Sequence, residues 1–152
     1  MIYFIVSVLI VIVDFIVKKC SLEHLTKVDT SPLWKDVFHL TYVENKGAAF
    51  GMMQNQRWFF IVLTVIVLIG VIVFAFKLKK KHPALLLALA FLSGGAVGNL
   101  IDRIFYGFVV DLFDFRLINF PVFNVADIFV VVGAMLIAVY YIFFDKEEKE
   151  NQ

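Results

Sequence analysis

Apolar positions fall into four long runs, Ile2 to Val17, Trp58 to Phe76, Pro83 to Ile101 and Val125 to Phe144. Each approaches the ~20 residues a helix needs to cross the hydrocarbon core of a bilayer, and each is predicted as a membrane span. The first lacks the basic start and small-residue cleavage site of a secretory signal, and it carries Asp14, so it reads as a retained helix. Lys18 and Lys19 at its end are expected to snorkel to the interface. Between the second and third runs, Lys77-Leu78-Lys79-Lys80-Lys81-His82 forms a lysine-dense turn, which the positive-inside rule assigns to the cytoplasm, together with both termini. Two segments then face outward, Lys18 to Arg57 and about Phe105 to Asn124. In the longer one, Phe38-His39-Leu40-Thr41-Tyr42-Val43 alternates and is β-prone, which predicts a small strand. Asn45-Lys46-Gly47-Ala48-Ala49-Phe50-Gly51 follows, with glycines that permit tight turns. The expected fold is an all-α polytopic membrane protein, one unit over residues 1–152, with four transmembrane helices and a small extracytoplasmic β element in the first loop.

Composition supports this picture. Of 152 residues 62% are hydrophobic and 18% charged, more oil and fewer charges than soluble domains carry. With 14 basic against 13 acidic residues, the net charge of +1 gives no sign of a nucleic-acid partner. One cysteine, Cys20, excludes an internal disulfide, and His24, His39 and His82 are too scattered to suggest a metal site. No cofactor is expected.

The acids carry the candidate chemistry. An ionisable group at or within a span costs roughly 2.5–3.5 kcal/mol on insertion scales and is a functional candidate by default. Asp14, Asp102, Asp111 and Asp127 are the four so placed. The third and fourth predicted helices run in opposite directions, so the loop joining them returns Asp111 and Asp127 to one membrane face. Two close carboxylates cannot both ionise cheaply and share a proton, so one serves as general base on a water while the other protonates a carbonyl oxygen. Peptide hydrolysis needs that division of labour. For each acid alone the plainer reading is a helix cap or an ion pair with Arg103 or Arg116, and for Asp127, at a helix start, capping is a direct competitor. Asp114 is a competing partner for the dyad. The surroundings favour a site: Gly94-Gly95-Ala96-Val97-Gly98 suits close helix packing, which leaves Asn99, Asp102 and Arg103 unexplained.

Five stretches in order resemble the motif set of the lipoprotein signal peptidases, or signal peptidase II: Asp14 with Lys18, Asn45 to Phe50, Gly94 to Arg103, Val109-Val110-Asp111, and Phe123 to Asp127. The resemblance runs from the first span to the last. It implies an aspartyl endopeptidase of the bacterial cytoplasmic membrane that removes signal peptides from prolipoproteins, cutting before a cysteine that bears diacylglycerol. The implied dyad is Asp111 and Asp127. Asn45, Gly47, Asn99, Asp102, Arg103, Asn124 and Ala126 match positions that line or brace the site, and Asp14 and Lys18 match the first-span motif, where a plain i,i+4 ion pair competes with a direct role. Val17 stands where the family usually has Ser or Thr, and Leu112 to Ala126 is short. The expected partners are lipid-modified prolipoproteins and membrane lipid, the protein acting as a monomer with its site at the outer face and the first loop as a cradle or lid. A proton-coupled transporter is the main rival, although no repeated halves are visible; a structural assembly factor is a third reading.

Overall fold

A computed structural model describes residues 1–28, 30–48, 52–78 and 82–150, with side chains described as far as residue 143. Ala49, Phe50 and Gly51 of the expected turn and Lys79 to Lys81 of the lysine turn lie outside the described residues. The elements are α1 (Ile2–His24), β1 (Ser31–Trp34), β2 (Phe38–Asn45), α2 (Arg57–Lys77), α3 (Pro83–Phe105), β3 (Val109–Phe115) and α4 (Val125–Glu150). α3 is central and packs against the other three helices.

Among the described residues three helices are long and apolar enough to cross a membrane, namely α2, α3 and the Val125–Phe143 part of α4. α1, of 23 residues, carries Asp14, Lys18 and Lys19 and is not among them. It runs past the predicted end at Val17, which corrects the expectation for Lys18: that residue is buried, 3% exposed, and turns into the protein. Lys19 remains exposed, near Glu23. Likewise α3 continues beyond Ile101, so Asp102 and Arg103 are helical, and α4 continues through the charged tail to Glu150, which the sequence reading leaves frayed.

The expected small β element is present and extends beyond the first loop. Mostly helical, the protein carries a three-stranded antiparallel sheet in the order β1-β2-β3, built from both segments predicted to face outward. β2 is the anticipated strand. β3 escapes a periodicity reading because Val109 to Leu112 are all buried, so apolar and polar positions do not alternate. Gly107, at φ 86°, lets the chain leave α3 and turn into β3. After β3 a single 3-10 turn, Arg116–Ile118, ends at Asn119 in the left-handed region. The chain then folds back so that Phe123 pairs with Phe113. That return explains how so short a stretch brings the start of α4 beside β3.

Candidate active site

Asp111 lies on β3, 1% exposed. Asn45, from β2, donates through Nδ2 to its Oδ2 at 2.9 Å, and Asn124 donates through Nδ2 to its Oδ1 at 2.6 Å. Asp127 lies in the first turn of α4. Asn99 of α3 donates to its Oδ1 at 2.7 Å, and the Asn124 backbone N–H donates to its Oδ2 at 3.2 Å. Asn124 Oδ1 in turn accepts the Asp127 N–H at 2.8 Å. Asn124 and Asp127 therefore form a reciprocal capping box at the helix start. Capping and membership of the cluster prove compatible, because Asn124 serves both: one amide holds Asp111, caps α4, and donates to Asn99 Oδ1 at 3.1 Å.

The two carboxylates feel each other. Burial first, and then the negative charge of Asp127, push the Asp111 carboxyl from the ordinary 3.8 to about 7, against the opposing hydrogen bonds from Asn45 and Asn124. Asp127 lines a cavity of about 440 Å³, whose walls also include Asn45, Gly47, Asn99, Arg103 and the apolar segment Phe120 to Phe123. Asp111 is not among the wall residues and is linked to them through Asn45, which lines the cavity and donates to it. Arg103 reaches across the cavity rim, donating from Nη2 to the Gly47 carbonyl at 3.2 Å while its guanidinium lies 4.9 Å from the Phe60 ring centre. Gly47 is held by an N–H donated to Asn45 Oδ1 at 3.0 Å, and a Cβ there would collide with the Met52 carbonyl.

Behind this cluster sits a second one. Lys18 Nζ lies 2.8 Å from Asp14 Oδ2 and 2.9 Å from Asp102 Oδ2, and it donates to Asn99 Oδ1 at 3.0 Å. Asp14 Oδ1 accepts the Ala126 N–H at 2.8 Å, and Asp102 Oδ2 accepts the Val110 N–H at 3.1 Å. Each buried carboxylate thus grips the backbone of the residue just before one member of the pair. Gly98 makes this possible: a Cβ would come within 2.6 Å of Asp14 Oδ2.

All eleven residues picked from the sequence belong to these two clusters or their edges. Asp114 does not. Its Oδ2 accepts from Thr41 and from Arg116 Nε, each at 2.8 Å, on the outer part of the sheet. Cys20 is exposed, and among the described residues no three His, Cys, Asp or Glu gather as a metal ion would require. Sequence reasoning missed Arg57, which donates from Nε to the Arg103 carbonyl and from Nη2 to the Ile104 carbonyl, both at 2.7 Å, capping the end of α3 from the start of α2. It also missed the Phe120 to Phe123 wall. A basic residue flanking an apolar run reads as an interface anchor, and nothing local reveals the carbonyls it finds.

A family model described as Signal peptidase (SPase) II matches residues 6–143. The chain belongs to the signal peptidase II family. Family relatives include a lipoprotein signal peptidase of Brevibacillus brevis, 47% identical over 131 residues that make up 86% of this chain and 88% of the relative. Another, from Clostridioides difficile, is 42% identical over 149 residues, 98% of this chain and 100% of the relative. A solved structure described as a bacterial membrane enzyme superposes with a TM-score of 0.85 at 30% identity, covering 93% of each chain.

Proposed function

We propose that Asp111 and Asp127 are the catalytic pair of this signal peptidase II, an aspartyl endopeptidase that removes signal peptides from diacylglyceryl-modified prolipoproteins by cutting before the lipidated cysteine. The observation that carries this reading is the amide bridge: Asn124 holds Asp111 and Asp127 together, and Asp127 lines the cavity. Two carboxylates held by neutral amides, with a raised proton affinity on one, suit a pair that shares a proton near neutral pH. In the reaction one carboxylate takes a proton from a water as its oxygen attacks the scissile carbonyl carbon, while the other gives its proton to the carbonyl oxygen. The tetrahedral intermediate then collapses: the C–N bond breaks, and the leaving nitrogen receives a proton from the pair. Titration belongs to the pair as a unit.

The remaining site residues support it. Asn45 and Asn124 orient Asp111, Asn99 orients Asp127, and Arg103 with Gly47 shapes the rim. Asp14, Lys18 and Asp102 brace the backbones at Ala126 and Val110. The apolar part of the cavity wall, Phe120 to Phe123 and Val130 to Val132, suits a signal peptide and acyl chains arriving from lipid.

α1 serves as a fourth span in this reading. What supports it is the direction of its side chains: Asp14 and Lys18 face inward, while Phe4, Leu9, Ile12, Val13 and Ile16 are exposed, as lipid contact requires. The chain then works as one membrane unit and as a monomer, both termini in the cytoplasm and the pair at the outer face.

The deciding experiment reconstitutes the protein with a diacylglyceryl-modified prolipoprotein and compares it with Asp111→Asn and Asp127→Asn. Both variants should lose cleavage. Retained cleavage in both would remove this pair from the reaction.

A further inference from the structure

β2 does not run in even register along β3. Leu40 faces Phe113 and Val43 faces Asp111, so Thr41 and Tyr42 together stand against Leu112 alone. This is a β-bulge, one extra residue on one strand. Beyond it Asn45 falls opposite Val109, on the same sheet face as Asp111, because side chains alternate along a strand. Without the extra residue, the Leu40 pairing carried forward would set Asn45 opposite Phe108. A one-residue slip turns every later side chain to the other face, and the Asn45 amide would point away from the carboxylate it meets at 2.9 Å.

A polar cluster outside the cavity sits on this bulge. Thr41 Oγ1 and Arg116 Nε both donate to Asp114 Oδ2 at 2.8 Å, and Arg116 Nη2 donates to Thr30 Oγ1 at 3.2 Å. The Thr30 and Thr41 hydroxyls are 2.9 Å apart, and buried His39 Nδ1 is 3.0 Å from Thr30 Oγ1. A hydroxyl has one proton. Thr41 gives its proton to Asp114, so Thr30 donates to Thr41, and His39 and Arg116 donate to Thr30. The cluster ties the segment before β1, the bulge in β2, and the end of β3 into one clamp.

We infer that Thr41 and Asp114 are positioning residues, whose hydrogen bond locks the bulge and so delivers the Asn45 amide to Asp111. This rests on Asp111 being one of the catalytic pair.

The test uses the full chain in proteoliposomes with a diacylglyceryl-modified prolipoprotein, comparing Thr41→Val, Thr41→Ser, Asn45→Ala and the Thr41→Val/Asn45→Ala double variant. Thr41→Val should lower kcat roughly tenfold, about one charge-assisted hydrogen bond, with KM little changed. Its pH profile should move toward higher pH as that of Asn45→Ala does, since the Asn45 amide favours ionised Asp111. Asp127, Lys18 and Arg103, the charged groups that also act on Asp111, stay in place. Thr41→Ser keeps the hydroxyl and should restore kcat, and the double variant should be no slower than Asn45→Ala. Losses that multiply in the double variant, or a Thr41→Val enzyme with unaltered kcat and pH profile, overturn the inference. If Thr41→Val does not fold, Asp114→Ala, which removes the acceptor of the Thr41 hydroxyl, is read by the same two outcomes. Asp111→Asn and Asp127→Asn run alongside: cleavage retained there defeats the catalytic pair, whereas cleavage lost there with Thr41→Val unaltered defeats the bulge alone.

Discussion

Two groups of acids lie side by side in this protein and are held in opposite ways. Asp14 and Asp102 meet a lysine, Lys18, with all three 3% exposed or less. Asp111 and Asp127 meet chiefly amides, from Asn45, Asn99 and Asn124, and Asp127 lines a cavity. A buried ammonium stabilises ionised carboxylates and fixes their geometry, so the first group suits bracing. A neutral amide orients a carboxylate with much less effect on its charge, so the second group keeps a proton to trade. Asn99 touches both, donating to Asp127 while accepting from Lys18, and the brace thereby reaches the proposed pair.

The largest break in this contrast is chemical. Asp111→Asn or Asp127→Asn should cut kcat by roughly a thousandfold, within the range of lost general acid–base catalysis, with little change in thermal stability; cleavage of lipidated substrate and a melting curve in detergent check both parts. Lys18→Met attacks the brace instead. It leaves Asp14 and Asp102 buried without their counter-charge, and should cost about 3–5 kcal/mol of stability, read as a large drop in the detergent melting temperature. A Lys18→Met protein that melts with the wild type would show that the lysine is not what holds the two acids.

Asn124→Ala tests the place where catalysis and scaffold share one side chain. It removes the cap of α4, worth about 1 kcal/mol, along with the Asp111 donor, so stability and kcat should both fall, each by less than in the variants above. The smallest effect is a pH slope. Folded Asp111 binds its proton more tightly than the unfolded 3.8 group, so between 3.8 and about 7 the folded state holds more protons. Stability from this group is complete below 3.8 and is lost as pH rises through about 7. Melting temperature should therefore fall across that window more steeply in the wild type than in Asp111→Asn. Parallel curves would mean that Asp111 is not the group titrating there.

The legibility of the molecule differs between these regions. The acids announced themselves because a carboxylate beside an apolar run is costly, and Asn99, Arg103 and Asn124 stood out as polar groups that helix packing did not need. Lys18 misled, since a lysine at the end of an apolar run is expected to reach for the interface, and its inward turn depends on Asp102 in a helix 84 positions along the chain. β3 stayed hidden because both of its faces are covered, and Arg57 because its partners are backbone carbonyls.

Hydrophobic run length and the rarity of charge within those runs determined by themselves that this chain enters a membrane and which acids were candidates, because transfer of apolar surface and of charge into lipid depends on composition more than on contacts. Only the tertiary structure decided which acid meets a lysine and which an amide. That choice turns on a one-residue bulge, a tight return at Asn119 and the close approach of helices at Gly98, where distances of a few ångströms arise from segments remote in sequence.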